Sequence, residues 1–402
     1  MEDVKKIPKK KSKKKTKRSK KKARIVKYMP SFVFSFFIFA VAIMYVALPM
    51  SDYSELEKRS LSEMPEVTAE NVLNGTFGQK FETYLADHMP MRTFWVGANS
   101  YYDMYSGRNG SNGVYKGEDG FLFAVPVNYS TTLDSNVEYI DEFARSVNLP
   151  TYMCIIPSAG YIMGDKLPSR HYEYNDDALI DVVKYDLNEL NSNIKYVDVV
   201  QDFKLKADSE QLYYKTDHHW TSLGAYECYT TLGRSLGYTP TPKNKFKVEK
   251  YYNFYGTSYG KAGLWDNDGE SIELWKNAEH TKTNITVTIA ENGEVTSTNS
   301  MFFMDNMYSD DQYTTFLDGN HGLVTITNSY VENDKRLLVL RDSYTHCLAP
   351  FLADNYSEIV LVDLRYYKGT VSDLVKTENI DQILALYSLD SIINSTDIAY
   401  LL

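Results

Sequence analysis

The sequence predicts an α/β fold: a parallel sheet with helices on both faces, a β-rich insertion, and a single N-terminal transmembrane helix ahead of it. Three observations carry this. Short apolar runs at 151–156, 336–340, 358–363 and 382–387 have strand length and alternate with segments of helical period. A block rich in Thr, Tyr, Asn and Gly, from about 243 to 329, breaks that rhythm. Residues 31–48, SFVFSFFIFAVAIMYVAL, run for 18 positions without a charge.

Taken in order, residues 1–30 hold 15 Lys and Arg against Glu2 and Asp3, a net of +13, so a chain at −10 carries −23 elsewhere. The run from Lys9 to Arg18 cannot bury itself and is expected to be disordered. Alone it would suit nucleic acid or an import receptor. The apolar span behind it points elsewhere, because its 18 residues make roughly 27 Å of helix, enough to cross a bilayer. Basic residues ahead of a span hold the N-terminus inside. Residues 1–30 thus read as a basic cytoplasmic tail, 31–48 as the anchor, and the remainder as extracellular on a bacterial surface, with no nucleic-acid partner. A cleaved signal peptide is the other reading. The span is long for one, and Leu48-Pro49-Met50 is a poor cleavage site.

Residues 49–113 read as stalk and lead-in helices. The segment 51–65 is polar and charged, and 77–105 carries Phe77, Phe81, Tyr84 and Leu85 at helical spacing. After the turn cluster Asn109-Gly110-Ser111-Asn112-Gly113, one domain is expected over 114–402. It opens with two short strands around Gly120. Helices follow at 136–147, 177–191 and 222–236, with strands at 151–156 and 194–200. The insertion over about 243–329 includes a β-like run from Asn284 to Ile289. Composition is ordinary for a globular protein, 43% hydrophobic and 24% charged. Cys154, Cys228 and Cys347 show no C-x-x-C spacing, which argues against a zinc knuckle or a thioredoxin-like site. Cys154 reads as a small core residue.

Thr216-Asp217-His218-His219-Trp220-Thr221 carries the chemistry-bearing residue types most densely. Asp217 and His219 are two apart, so in an extended or turn segment their side chains share a side. Asp217 can then orient one imidazole nitrogen while the other faces a nucleophile. His218 points the other way. The plainer reading makes Asp217 a helix cap and the histidines packing residues. Later, strand 336–340 runs into Arg341-Asp342-Ser343-Tyr344. Sites in open parallel sheets form beyond the strands' carboxyl ends, and a strand-to-helix turn there can expose Ser343 Oγ. Asp342 and Ser343 as simple caps of the next helix is the alternative. A divalent ion held by Asp217, His218 and His219 with His321 or His346 is a further reading, though the spacing fits none of the common ligand motifs. No metal and no cofactor are assigned. Trp220 either stacks on a sugar ring or packs. Arg365, after another strand end, holds a substrate anion, supports the serine loop or forms a structural ion pair.

Together these residues resemble the DHHW family, itself similar to the SGNH-hydrolase-like proteins of bacterial alginate O-acetylation. Asp217 and His219 match the family's Asp-x-His motif, and Asp342, Ser343 and Tyr344 its later Gly-Asp-Ser-aromatic motif. Glu55-x-Glu57-Lys58-Arg59-x-Leu61, Asp119-Gly120-Phe121-Leu122-Phe123, Leu167-Pro168 and Asp363-x-Arg365-Tyr366-Tyr367 add to the likeness, which runs over roughly residues 53–400. The resemblance implies an SGNH-like, flavodoxin-like three-layer sandwich, permuted because Asp and His precede Ser. Arg341 departs from the pattern, standing where the family has glycine, and puts a cation beside the nucleophile. The implied catalytic residues are Ser343, His219 and Asp217, with Trp220, Tyr344, Arg341, Arg365 and Asn320 as substrate or oxyanion candidates. The implied activity is a membrane-anchored extracytoplasmic O-acetyltransferase acting through an acyl-serine. Its partners would be a polysaccharide acceptor and a multi-spanning membrane acyltransferase as acetyl donor. A carbohydrate esterase with the same residues, and a noncatalytic glycan-binding surface protein, stay open beside it.

Overall fold

A computed structural model describes residues 17–54, 56–279, 284–291 and 293–402. It divides into two compact units, Met1–Tyr53 with Ser60–Arg92, and Ser54–Arg59 with Thr93–Leu402. The first unit contains α1, Lys17–Ala47, one helix of 31 residues. Within it, Arg24–Ala47 is long and apolar enough to cross a membrane. The helix starts before the span expected at 31. Lys and Arg are good helix formers, and a long apolar helix behind them supplies the nucleus. The basic segment from Lys17 is therefore helical rather than disordered; residues 1–16 of the expected tail, and Glu55, lie outside the described residues. The lead-in region holds a short helix, Ala69–Leu73, and two longer ones, Thr76–Asp87 and Arg92–Tyr105. Pro90 separates the longer two, since the residue before a proline is driven out of helical geometry. The segment Ser54–Arg59, expected as stalk, belongs to the second unit.

The second unit is built on an eight-stranded sheet. In chain order its strands are β1 Thr151–Ile156, β2 Lys195–Tyr196, β3 Ile285–Glu291, β4 Glu294–Thr298, β5 Leu323–Asn328, β6 Arg336–Arg341, β7 Glu358–Val362 and β8 Gln382–Ser388. Across the sheet they run β4-β3-β5-β7-β6-β8-β1-β2. The five from β7 to β2 are parallel, and β3, β4 and β5 add antiparallel strands at one edge. The block expected as a separate insertion is thus only partly separate. Its hairpin Phe246–Phe254 with Glu270–Asn277 forms a sheet of its own, while β3 to β5 extend the central one. Alternating burial along Ile285–Glu291 suits an antiparallel strand with one wet face.

The parallel strands are apolar on both faces, which is why their sequences read as unbroken hydrophobic runs. Leu337 and Val339 of β6 face one core with Cys154, Ile156 and Leu384; Leu338 and Leu340 face a second with Met153, Ile155 and Ile383. Residues 337–340 are all fully buried, each worth about 2 kcal/mol in area removed from water. Helices α2 Thr131–Val147 and α3 Asp176–Glu189 cover the second core; α4 Ser222–Leu236 and α6 Thr345–Leu352 cover the first. Between α4 and α6 comes the short helix α5, Thr257–Ala262. Two more, α7 Val371–Thr377 and α8 Leu389–Asn394, follow β7 and β8. The strand expected at 194–200 shrinks to Lys195–Tyr196, because Asp198 Oδ1 accepts the Val200 N–H at 2.9 Å and starts the helix Val200–Ala207.

The chain leaves β6 for its neighbour β7, then returns to β8 on the other side of β6. Such a reversal opens a crevice beyond the strands' carboxyl ends. Ser343 and Ser388 lie at that end.

Candidate active site

β6 ends at Arg341 and α6 begins at Thr345, leaving three residues to turn. Asp342 organises them. Its Oδ1 accepts the Tyr344 N–H at 3.0 Å, and its Oδ2 accepts the Ser388 N–H at 2.7 Å, lashing the turn to the end of β8. Asp342 thus shapes the turn ahead of α6 and does not cap it: Tyr344 holds the N-cap position, and its side chain makes no capping bond. Ser343 does not cap; its Oγ lies 2.7 Å from His219 Nε2.

The loop carrying His219 is pinched by a bridge between Tyr213 and Trp220. From below, Glu270 accepts the Lys215 N–H at 3.0 Å, the Thr216 N–H at 2.7 Å and the Thr216 hydroxyl at 2.7 Å. Thr221, not Asp217, caps α4, accepting the Gly224 N–H at 3.2 Å. Asp217 is free for another task and receives four donors. Oδ1 takes the His219 backbone N–H at 2.9 Å and its ring Nδ1 at 2.6 Å; Oδ2 takes the Thr257 N–H at 2.7 Å and the Thr257 hydroxyl at 3.1 Å. Burial opposes charge on this carboxyl. The imidazoles of His219 and His218, with the hydrogen bond from the His219 ring, outweigh it and hold the group well below the usual carboxylate range. The approach of Thr257 depends on Gly256, where a Cβ would lie 2.1 Å from Asp217 Cβ.

An ionised carboxylate only accepts, so the proton on His219 sits at Nδ1 and Nε2 offers its lone pair to Ser343. The ring is held by stacking on Tyr313, centroids 3.9 Å apart and 8° from parallel. His218 lies beside it at 3.8 Å. Its Nδ1 is 2.6 Å from Thr257 Oγ1, which already donates to Asp217 and so accepts from His218. The surrounding protein, and then repulsion from His219, push His218 down to about 4, although 42% of the side chain is open. It is neutral at neutral pH.

Ser343, His218 and Asp217 border a cavity of about 540 Å³, whose walls include Ser158, Lys261, Arg365, Glu57 and Arg59. Two of the substrate candidates, Arg365 and Tyr344, also line it. The Arg365 guanidinium grips Asp363 with two bonds, 2.9 and 2.6 Å, and that pair outweighs burial to hold it above its ordinary pKa. The ion-pair reading and the cavity reading of Arg365 therefore coexist. Tyr344 turns its hydroxyl to the His218 carbonyl, bracing the histidine loop.

The other three candidates are corrected. Trp220 is fully buried and donates its indole N–H to the Tyr344 carbonyl at 3.0 Å, so no sugar reaches it. Arg341 is 1% exposed and points to the His321 carbonyl, 3.0 Å from Nη2, outside the Ser343 cavity. A side chain at the last position of a buried strand follows the pleat, not the turn. Asn320 does not line the cavity either; its Oδ1 accepts from Arg365 at 3.3 Å. Ligand atoms of Asp217, His218 and His219 lie within 4.8 Å of one another, close enough for a cation. Both oxygens of Asp217 and both nitrogens of His219 are, however, already engaged in the hydrogen bonds above. His346, buried in α6, stands 6.1 Å from the Tyr313 ring and does not join them.

Sequence reasoning missed Thr257, Tyr313 and Glu270, which fix Asp217, His219 and Thr216. All three come from the β-rich block, where no local signal marks them. Only Gly256 beside Thr257 hints at a close approach.

A profile of the DHHW protein family matches residues 127–362, more than half of the chain. Among solved structures, a DHHW family protein from Eubacterium siraeum is 21% identical, aligning 72% of this chain and 95% of its own with a TM-score of 0.62. Bacillus cereus PatB1 is 22% identical over 69% of this chain and 97% of its own, with a TM-score of 0.59. A structure of PatB1 with a sulfonyl adduct aligns at a TM-score of 0.60 with 21% identity, covering 71% of this chain and 97% of that one. At such identities the likeness is one of fold. No curated protein matches the chain.

Proposed function

The chain belongs to the DHHW family, and from that premise we propose that it is a membrane-anchored O-acetyltransferase that acetylates hydroxyls of a cell-surface or exported polysaccharide. The single observation that carries this reading is the hydrogen-bonded line Asp217–His219–Ser343, with bonds of 2.6 and 2.7 Å opening on a cavity. Ser343 Oγ attacks the carbonyl carbon of an acetyl donor as its proton passes to His219 Nε2. Asp217 keeps the ring in the accepting tautomer and stabilises the imidazolium. The leaving group departs with that proton, and acetyl-Ser343 remains. A sugar hydroxyl then repeats the step in reverse order, giving its proton to Nε2 while the Ser343 ester bond breaks and Oγ is reprotonated. Arg365, on the same cavity wall, serves as the cation facing the substrate.

Strand order supports an SGNH-like, permuted fold. Counted from β6, the parallel strands fall in the order 2-1-3-4-5 of a doubly wound sheet, with the serine after the first. The β-rich block, 243–329, would then be an elaboration of that domain, which runs from 114 to 402. Charge asymmetry around Arg24–Ala47 supports a cytoplasmic N-terminus and an extracytoplasmic catalytic unit. Acetyl groups there need a carrier across the bilayer, for which a multi-spanning membrane acyltransferase is the donor of choice.

Hydrolysis is the second reading, since the cavity is open to water and water can take the acetyl group in the same geometry. Replacing Ser343 with Ala in the native host tests the function: base-labile acetate should disappear from the surface polysaccharide. Polysaccharide that keeps its acetate would reject transfer, and acetate in excess would favour the esterase.

A further inference from the structure

The motif Glu57-Lys58-Arg59, unused in the chemistry so far, is built into the wall of the Ser343 cavity. Gly260 in α5 admits this segment: a Cβ there would lie 1.7 Å from the Leu56 carbonyl oxygen. Lys58 is folded inward, its side chain 4% exposed, donating to the Tyr255 carbonyl at 2.7 Å and pairing with Asp311 at 3.3 Å. It stands at φ 52°, the left-handed region that a β-carbon disfavours. With Lys58 turned away, Glu57 and Arg59 face the cavity, Arg59 Nε 2.8 Å from Glu57 Oε2. Their side chains keep 16% and 40% exposure. A strained backbone that aims two charged groups into a cavity beside a nucleophile is better explained by binding.

We propose that Glu57 and Arg59 bind the acyl acceptor, a sugar with neighbouring hydroxyls, and so set transfer against hydrolysis. This rests on the acetyltransferase reading above. The carboxylate accepts from sugar hydroxyls and the guanidinium donates to hydroxyl and ring oxygens. In the transfer step the sugar oxygen bonds to the acetyl carbonyl carbon. Its proton goes through His219 Nε2 to Ser343 Oγ as the ester bond to Oγ breaks. Water undergoes the same reaction at far higher concentration, so the acceptor wins only if it is held over the ester.

The test uses the full chain in detergent, an activated acetyl ester as donor, and a panel of neutral and acidic oligosaccharides as acceptors. Acetyl-sugar and free acetate are measured together, with acetyl-Ser343 followed by mass spectrometry. Glu57→Gln and Arg59→Gln should each lower the ratio of transfer to hydrolysis by about tenfold or more, through a raised KM for the sugar. Arg59→Lys should recover part of it. Thermal unfolding of each variant separates this loss from misfolding. An unchanged ratio in both Gln variants overturns the proposal, as does acetylated Ser343 that passes its group to no sugar in the panel. Failure of Ser343 to acetylate at all would instead remove the acetyltransferase reading beneath it.

Discussion

Asp217→Asn isolates the role of the buried carboxylate, and the structure sets the size of the effect. Both oxygens of Asp217 accept two donors. An Asn must present its NH2 to one of these pairs. Turned toward Thr257, the amide meets a backbone N–H that cannot rotate away; turned toward His219, it meets the His219 backbone N–H. Each orientation leaves a buried donor unmatched, at a cost of about 1–3 kcal/mol. In the second orientation the amide also donates to Nδ1. The ring proton then moves to Nε2, and Ser343 loses its base. In either orientation the imidazolium formed during reaction has no carboxylate beside it. Loss of tautomer and charge together should slow acylation of Ser343 by about 10³- to 10⁴-fold, roughly 4–5 kcal/mol in the barrier. Stability carries a second signature. The folded carboxyl lies well below the ordinary 3.8, so its charge contributes stability above that value, and this is lost as pH falls through the folded value. The deficit of the Asn variant should therefore be full at neutral pH and narrow in acid. Single-turnover acylation by an activated ester measures the rate, and denaturant unfolding against pH measures the stability. An Asp217→Asn enzyme within about tenfold of the parent rate would refute the orienting role.

Other substitutions separate the remaining parts. Gly256→Ala places a Cβ 2.4 Å from Asp217 Oδ2 and should cost about 1–3 kcal/mol, with a fall in kcat larger than any change in KM. Trp220→Phe removes the indole donor to the Tyr344 carbonyl; thermal melts should show a loss of about 1–3 kcal/mol while the KM for sugar stays put, since the ring never meets substrate. Asp354 is pushed by burial from 3.8 up to about 7, so its contribution is fullest below the unfolded value and is lost as pH rises toward 7. Asp354→Asn should flatten that stretch of the stability curve, where the slope reaches at most about 1.4 kcal/mol per pH unit. A wild-type-like slope in this variant would assign it to another group.

Legibility of the fold followed continuity of burial. Thr151–Ile156 and Ser222–Leu236 were readable to the residue, one as an unbroken apolar run and the other as a helical segment directly after the Asp-His motif, although its cap proved to be Thr221. The strand at 194–200 was not, because a single side chain, Asp198, redirects the backbone there. The antiparallel edge was hidden because β3 pairs with β5, and β5 with β7, only through contacts remote in sequence. The candidate site divides in the same way. Asp217, His219 and Ser343 could be named because strand ends and close Asp–His spacing announce them. Trp220 and Arg341 sit next to them in sequence, but adjacency does not say which way a side chain points, and both turn inward. The groups that hold the three in place, Thr257, Tyr313 and Glu270, carry no local mark.

The most direct test of the central claim is the mass of the peptide bearing Ser343 after brief exposure to an activated acetyl ester. The expected result is a gain of one acetyl group on Ser343 in the parent protein, strongly reduced in His219→Ala and absent in Ser343→Ala. Acetylation spread over surface lysines with Ser343 unmodified, or an equal gain on Ser343 when His219 is replaced, would contradict it.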